Sequence, residues 1–261
     1  MDFEEVESEE QRAFRWAVRA WLEQNTPTQI AVPADGSPLE QETQAIIKDF
    51  RRKLGGQGWL APTFPREYGG GGLSTAAAAV IQQELGRLRL PTMGDNYRWI
   101  PAVMSRGTEE QKQRYIAPCL QGETITWQAF NERSSGSDFA SIETQAIWDG
   151  AGYVINGEKN FITGRFDPDY LWTLAVTDPD MPRRENLGLI MVEATLPGIT
   201  IKTLRLLAGS ERMILFDNVH VPGDCLVGQA GQGYQIAQAI LESERSGLPA
   251  RHSQEGLPDE I

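Results

Sequence analysis

The feature that most constrains this chain is a change of period at Thr124. Before it, apolar residues recur at helical spacing. After it, large and polar residues alternate, with the two-residue period of half-buried strands. The switch predicts two differently built parts in one polypeptide. The alternating part opens with Ile125 to Asn131 and breaks into a loop holding Ser134, Ser135, Gly136, Ser137 and Asp138. It resumes from Ile142 to Trp148. Asp149-Gly150 and Asn156-Gly157 lie between alternating runs, and both residues of an Asx-Gly pair tolerate the positive φ of a hairpin turn. The expectation is an antiparallel sheet with a polar loop at one edge, offering hydroxyls and backbone amides to a ligand.

In the first part, Phe14, Val18, Trp21 and Leu22 mark a helix that stops near Asn25, before Pro27. Ile46, Ile47, Phe50 and Leu54 mark a second, ended by Gly55-Gly56. Ser74 fits the N-cap of an alanine-rich third helix. Thr108 and Gln111 form a capping box for a short helix to about Leu120. The tryptophans at 16, 21, 59 and 99 read as core residues. Further strands are expected at 171–177, 187–193, 199–206 and 213–221. Gly228 to Gly233 makes a tight entry to a last helix, on which Tyr234, Ile236, Ala237, Ile240 and Leu241 share one face. No later helix in the sequence covers that stripe, and burying each large aliphatic side chain is worth roughly 1.5–3 kcal/mol. The tail from Ser246 reads as disordered. The fold class is therefore α+β. An N-terminal α-helical domain (1–122) precedes an antiparallel β-barrel or sandwich domain (123–229), then one C-terminal helix with a polar tail (230–261).

Composition removes several functions. A net charge of −12 argues against nucleic acid or an anionic membrane surface as partner. The longest aliphatic run, Ala76 to Ile81, is too short to span a bilayer. The acidic first residues are unlike a secretory leader, so a cytoplasmic location is expected. Cys119 and Cys225 are far apart, and only His220 and His252 are present; neither a disulfide framework nor a metal site is encoded. Gly69 to Gly72 lacks the following Gly-Lys-Ser/Thr of a phosphate loop and reads as a flexible turn. Gly228 to Gly233 lacks dinucleotide-binding spacing, and His220 reads as a structural strand residue.

Five segments, in order, resemble the acyl-CoA dehydrogenase family. They are Gly58-Trp59 to Tyr68-Gly69-Gly70, and Gly107-Thr108-Glu109-Glu110-Gln111-Lys112 to Gly122-Glu123. Next come Ala129 to Asp138, similar to A-x-T-E-P-x-x-G-S-D, and Asn156-Gly157-Glu158-Lys159 with Phe161-Ile162-Thr163, similar to N-G-x-K and W-I-T. The last is Phe216 to Pro222 with Gly228 to Gly233. The resemblance implies FAD and an acyl-CoA thioester held face to face, a carboxylate taking the α-proton while the β-hydrogen leaves as hydride to the flavin. It assigns Gln128, Phe130, Asn131, Phe161, Ile162 and Thr163 to the flavin, with the Thr163 hydroxyl near N5. Ser137 and Arg245 fall to the acyl-CoA, and Glu244, just before an Arg on the last helix, to the catalytic base. A carboxylate beside apolar groups has a raised pKa suited to proton transfer. Electron-transfer flavoprotein is the implied acceptor, in lipid metabolism.

Three positions depart from the pattern: Asn131 for Thr, Arg133 for Pro and Phe161 for Trp. Arg133 adds a cation that can pair with a phosphate or carboxylate. The family's C-terminal helical bundle has no counterpart here, which leaves three readings. The chain is the front half of a split enzyme whose partner supplies the bundle, or a homo-oligomer pairing through the last helix. Alternatively it is a truncated, noncatalytic paralogue serving as a subunit or binding module.

Overall fold

The computed structural model describes residues 7–28, 30, 33, 37–88, 90, 97–136, 138–207 and 209–245, with the side chains of the last three left aside. The tail expected to be disordered therefore lies outside the described residues. The described parts of 1–32, 40–93 and 117–123 form one compact unit; those of 33–39, 94–116 and 124–245 form another.

The first unit is built on α1 (Glu9–Asn25), α2 (Gln41–Gly56) and α3 (Thr75–Gly86). Ser8 and Gln11 cap α1 reciprocally, and the Ser74 hydroxyl accepts from Ala77 N–H at the start of α3. These bonds satisfy donors that the first helical turn leaves without partners. α1 and α3 are tied by a buried carboxylate: Glu84 accepts from Arg15 at 2.9 Å and from Arg19 at 2.9 and 3.0 Å. The Arg19 hydrogen bond, outweighing burial and helped by Arg15, holds the Glu84 carboxyl down at about 2. Trp21 and Trp59 join an aromatic cluster with Phe14 and Phe50. Trp16, expected in the core, is instead 66% exposed, with Arg19 over its ring; the face of α1 that packs is the one carrying Val18 and Leu22. The run Gly69–Gly72 is tight rather than flexible, since a Cβ at Gly70 would meet the Phe64 carbonyl at 2.3 Å. Gly69, Gly70 and Gly71 line an open cavity of about 550 Å³ together with Arg52, Arg66, Gln121 and Glu123.

The second unit begins with α4 (Ile100–Arg106) and the three-residue α5 (Glu109–Gln111), whose Thr108–Gln111 capping box forms as expected. A π-helical turn (Lys112–Ile116) leads to α6 (Ala117–Leu120), which belongs to the first unit. Eight strands follow: β1 (Thr126–Ala129), β2 (Gln145–Trp148), β3 (Gly152–Ile162), β4 (Tyr170–Val176), β5 (Leu187–Glu193), β6 (Ile199–Leu206), β7 (Gly209–Pro222) and β8 (Leu226–Val227). Their order is β6-β7-β3-β2-β4-β5-β8, and of the barrel or sandwich expected the barrel does not form, because the sheet is not closed. Two pairings also correct the antiparallel expectation. β1 runs parallel to β4 at Tyr170–Thr173, and β2 meets β4 in parallel at Val176. β5 occupies the whole opposite edge of β4, so β1 and β2 reach one edge of β4 in succession. The sheet is split there: Phe130 and Asn131 accept from Lys159 and Asn160 of β3 on one side, and Thr144 accepts from Val176 N–H at the end of β4 on the other.

Asp149-Gly150 makes the β2–β3 hairpin. Asn156-Gly157 does not turn the chain; β3 runs through it opposite a bulge in β7, where Asp217 and Asn218 (φ 51) face the single Asn156, and Gly157 sits at φ 147, where a Cβ would strike Thr144. Asn156 bonds across to Asn218 of β7, which keeps the strand running. β4 and β5 are buried on both faces, as continuous apolar runs require. α7 (Gly233–Arg245) packs on them, burying Ile236, Ala237 and Ile240. Of the stripe expected to need a further helix, Ile236, Ala237 and Ile240 are thus buried, while Leu241 is half-buried.

The split is pinned by an ion pair. Lys159 of β3 is fully buried and donates to Glu132 at 2.8 Å and to the Phe130 carbonyl at 3.2 Å. Glu132 also accepts from the backbone N–H groups of Glu143 (2.7 Å) and Thr144 (3.0 Å). Burial opposes charge on Glu132, yet Lys159 and these bonds hold its carboxyl below the usual range; burial draws Lys159 down to about 8, so the pair is charged at neutral pH. Removing one partner of a buried pair strands the other. Lys159→Met should therefore lower the unfolding free energy by about 3–5 kcal/mol in denaturant titrations. In the first unit, Glu84 carries less than its unfolded share of protons, so its contribution is complete above about 4.5 and fades as pH falls towards 2. Glu84→Gln should lose about 2 kcal/mol at neutral pH and show a flatter stability curve across that acidic window, measured by chemical denaturation at each pH.

Candidate functional site

The loop in the split is short-wired. Glu132 N–H donates to the Ser135 carbonyl at 2.8 Å, and Ser135 N–H returns the bond at 3.2 Å. Ser135 Oγ donates to the Asp138 carbonyl at 2.8 Å, and Ser141 Oγ to the Asp138 carboxylate at 2.6 Å. That Ser141 bond, working against desolvation, keeps the Asp138 carboxyl below its ordinary value. Phe139 stacks on Tyr234 of α7, ring centroids 4.7 Å apart, and Arg184 lies 5.1 Å from the Tyr234 ring centre. The loop is therefore held at one end by β3 and at the other by α7.

At the end of β3 the backbone is strained. Phe161 sits at φ 56 in a bulge between Lys159 and Ile162, with its ring 49% exposed. A bulky residue in the left-handed region is an outlier that costs about 1–3 kcal/mol and persists only where surroundings enforce it. Ile162, paired with Arg212 of β7, is buried, so Phe161 and Thr163 share the opposite, open face. Thr163 Oγ1 lies 3.2 Å from Glu211 Oε1. Asn160 N–H donates to the Asn131 carbonyl at 2.8 Å, which brings the loop entry beside this kink. Gly164 lies against the Trp127 ring, where a Cβ would come within 2.4 Å.

Of the residues assigned to a flavin, Gln128, Phe130, Asn131, Phe161, Ile162 and Thr163 all fall in this neighbourhood: the end of β1, the loop entry and the end of β3. Phe130 and Ile162 are buried, while Asn131, Phe161 and Thr163 are exposed. Gln128 has its Oε1 buried without a partner. Ser137 lies outside the described residues; Glu244 and Arg245 close the backbone of α7. Arg133 meets a carboxylate, Glu158, at 3.9 Å from an exposed position. His220 is exposed, 3.7 Å from Asp149. Both cysteines are free, and no group of three or more potential metal ligands occurs among the described residues. None of the described helices is long and apolar enough to cross a membrane.

Sequence reasoning missed Glu132, Lys159, Glu211 and Tyr234. Lys159 carried a usable signal: it shares strand parity with Tyr153 and Ile155, which are buried, and a lysine on a buried face needs a buried carboxylate. A half-exposed, fixed aromatic ring with hydroxyl and amide groups beside it fits a flat heterocycle with a polar edge.

Two family models match: acyl-CoA dehydrogenase, N-terminal domain, over residues 8–123, and acyl-CoA dehydrogenase, middle domain, over residues 128–219. Acyl-CoA dehydrogenase FadE29 of Mycobacterium tuberculosis is 30% identical over 240 residues, covering 90% of this chain and 61% of that protein. The solved Tcur3481-Tcur3483 steroid ACAD superposes with a TM-score of 0.73 at 28% identity, over 94% of this chain and 63% of that one. The acyl-CoA dehydrogenase of Bacillus anthracis, solved in complex with FAD, gives 0.70 at 26% identity, over 93% and 41%. The chain thus spans less than two thirds of the length of each of these relatives. With both domain models matched in order and the same fold in solved relatives, the chain belongs to the acyl-CoA dehydrogenase family.

Proposed function

We propose that this chain provides the flavin- and thioester-facing surface of an FAD-dependent acyl-CoA dehydrogenase. The observation that carries the reading is the Phe161 ring, held half-exposed on a left-handed backbone beside the Thr163 hydroxyl. Bound FAD supplies the two-electron acceptor for α,β-dehydrogenation. Phe161 offers the flat apolar contact, Thr163, Asn131 and Gln128 the polar edge, and buried Phe130 and Ile162 the dry floor. Ser137 and Arg245 contact the acyl-CoA. Glu244 takes the α-proton of the thioester. The two-component steroid relative supports a partner chain, or a second copy of this one, that completes the enzyme. Electron-transfer flavoprotein is the acceptor, and the free thiols suit a reducing cytoplasm.

A noncatalytic subunit is the second reading, favoured by one observation. The carbonyls of Phe130 and Asn131, which would serve the polar edge, already accept from Lys159 and Asn160.

Absorption spectroscopy separates the two. The purified protein, reconstituted with FAD and its partner, should be yellow and should bleach anaerobically with an acyl-CoA. Protein that takes up no FAD yet binds a full-length relative selects the second reading. Glu244→Gln should slow exchange of the α-hydrogen with deuterated solvent at least about 100-fold while leaving acyl-CoA affinity unchanged; unaltered exchange removes Glu244 from the role.

A further inference from the structure

Beyond the residues assigned to FAD, the open face at the end of β3 carries a carboxylate with no assigned task. Ile162 pairs with Arg212, so the next position, Thr163, stands opposite Glu211 on the face that exposes Phe161. Thr163 Oγ1 and Glu211 Oε1 are 3.2 Å apart. A carboxylate only accepts, so the hydroxyl must be the donor in this bond. Glu211 Oε2 is buried and without a partner, and the neighbouring Arg212, 3% exposed, directs one amino group to the Glu211 carbonyl and leaves Nη2 without a partner. These half-satisfied groups sit behind a threonine rather than in a closed structural network, which is the pattern of a site rather than of a core.

We propose that Glu211 is a positioning residue that fixes the hydrogen-bond polarity of Thr163. With its proton committed to Glu211, Thr163 presents only lone pairs to the open face. It accepts from a ring N–H and has no donor to offer a bare ring nitrogen. A flavin taking up two electrons and a proton converts a bare ring nitrogen to N–H, so Glu211, through Thr163, favours the reduced ring over the oxidised one. This inference rests on the reading of Phe161 and Thr163 as the flavin contact.

The test is a double-mutant cycle read as the midpoint potential of bound FAD, by dye-coupled reductive titration of the reconstituted protein. Glu211→Met removes the acceptor, and Thr163→Val removes the hydroxyl without changing shape. Any direct effect of the Glu211 charge appears both with Thr163 intact and in the Thr163→Val background, so only the difference reports the bond. We expect Glu211→Met to change the reduced-to-oxidised ratio about tenfold further when Thr163 is present, a coupling of about 30 mV for a two-electron couple. Glu211→Gln, which keeps an acceptor oxygen, should retain most of that coupling. Equal shifts in both backgrounds overturn the proposal while leaving the flavin reading intact. Wild-type protein that takes up no FAD overturns both. Matching thermal melts and flavin occupancies identify folded variants, and Glu211→Leu, which also lacks an acceptor, is carried through the same cycle where Glu211→Met does not fold.

Discussion

The second unit depends on a single buried ion pair. Taking Lys159 and Glu132 out of water costs several kcal/mol for each ion, and their attraction offsets this only with further hydrogen bonds in place. Those bonds are what the fold supplies. The Phe130 carbonyl at the loop entry accepts from Lys159, and the Glu143 and Thr144 amides at the exit donate to Glu132. One charged unit thus grips both ends of the segment between β1 and β2. The pair gives position more than net stability: it fixes where β1 ends and β2 begins, on the same edge of β4.

That fixed frame makes the strain at Phe161 sustainable. The ladder between β3 and β7 is regular from Gly157 to Lys159 and resumes at Ile162 with Arg212, leaving the bulge between two anchored points. A left-handed phenylalanine relaxes if either neighbour can move, and here one anchor is a buried lysine and the other a buried isoleucine. The kink turns the ring outward against the usual preference for burying aromatic surface. Local rules broken at one place, in a frame that is otherwise consistent, mark a site. The exposed face that results carries ring, hydroxyl and carboxylate in succession.

Much of the local structure was legible in the sequence because it is encoded by neighbours. The Ser74 cap, the Thr108–Gln111 box and the Asp149-Gly150 hairpin each need only a few residues. The strands at 187–193 and 199–206 follow from composition. What was not legible depends on partners distant in sequence. Alternation shows that 126–129 and 145–148 are strands, but not that both lie parallel on one edge of β4. Asn156-Gly157 has the chemistry of a turn, but Asn218, in a bulge of β7, donates to the Asn156 side chain and β3 runs on through the pair. The apolar stripe of α7 had the right residues, but its cover lies on β4 and β5, strands far back along the chain. In the candidate site, the exposed residues were readable from motif resemblance and a buried Lys159 from strand parity, whereas its pairing with Glu132 and the place of Glu211 emerge only when register is known.

The placement of α7 bears on the proposed base. The Phe139–Tyr234 stack and the Arg184 contact join the first turn of this helix to the loop in the split. Ile236, Ala237 and Ile240 then fix the rotation of the helix by burial on β4 and β5. Position 244 is ten residues past Tyr234, about 15 Å along the axis. It is also four residues past Ile240 and seven past Ala237, the spacing of one helical face. The packing of α7 on β4 and β5 is thus what sets the helical face along which the proposed base follows Ala237 and Ile240.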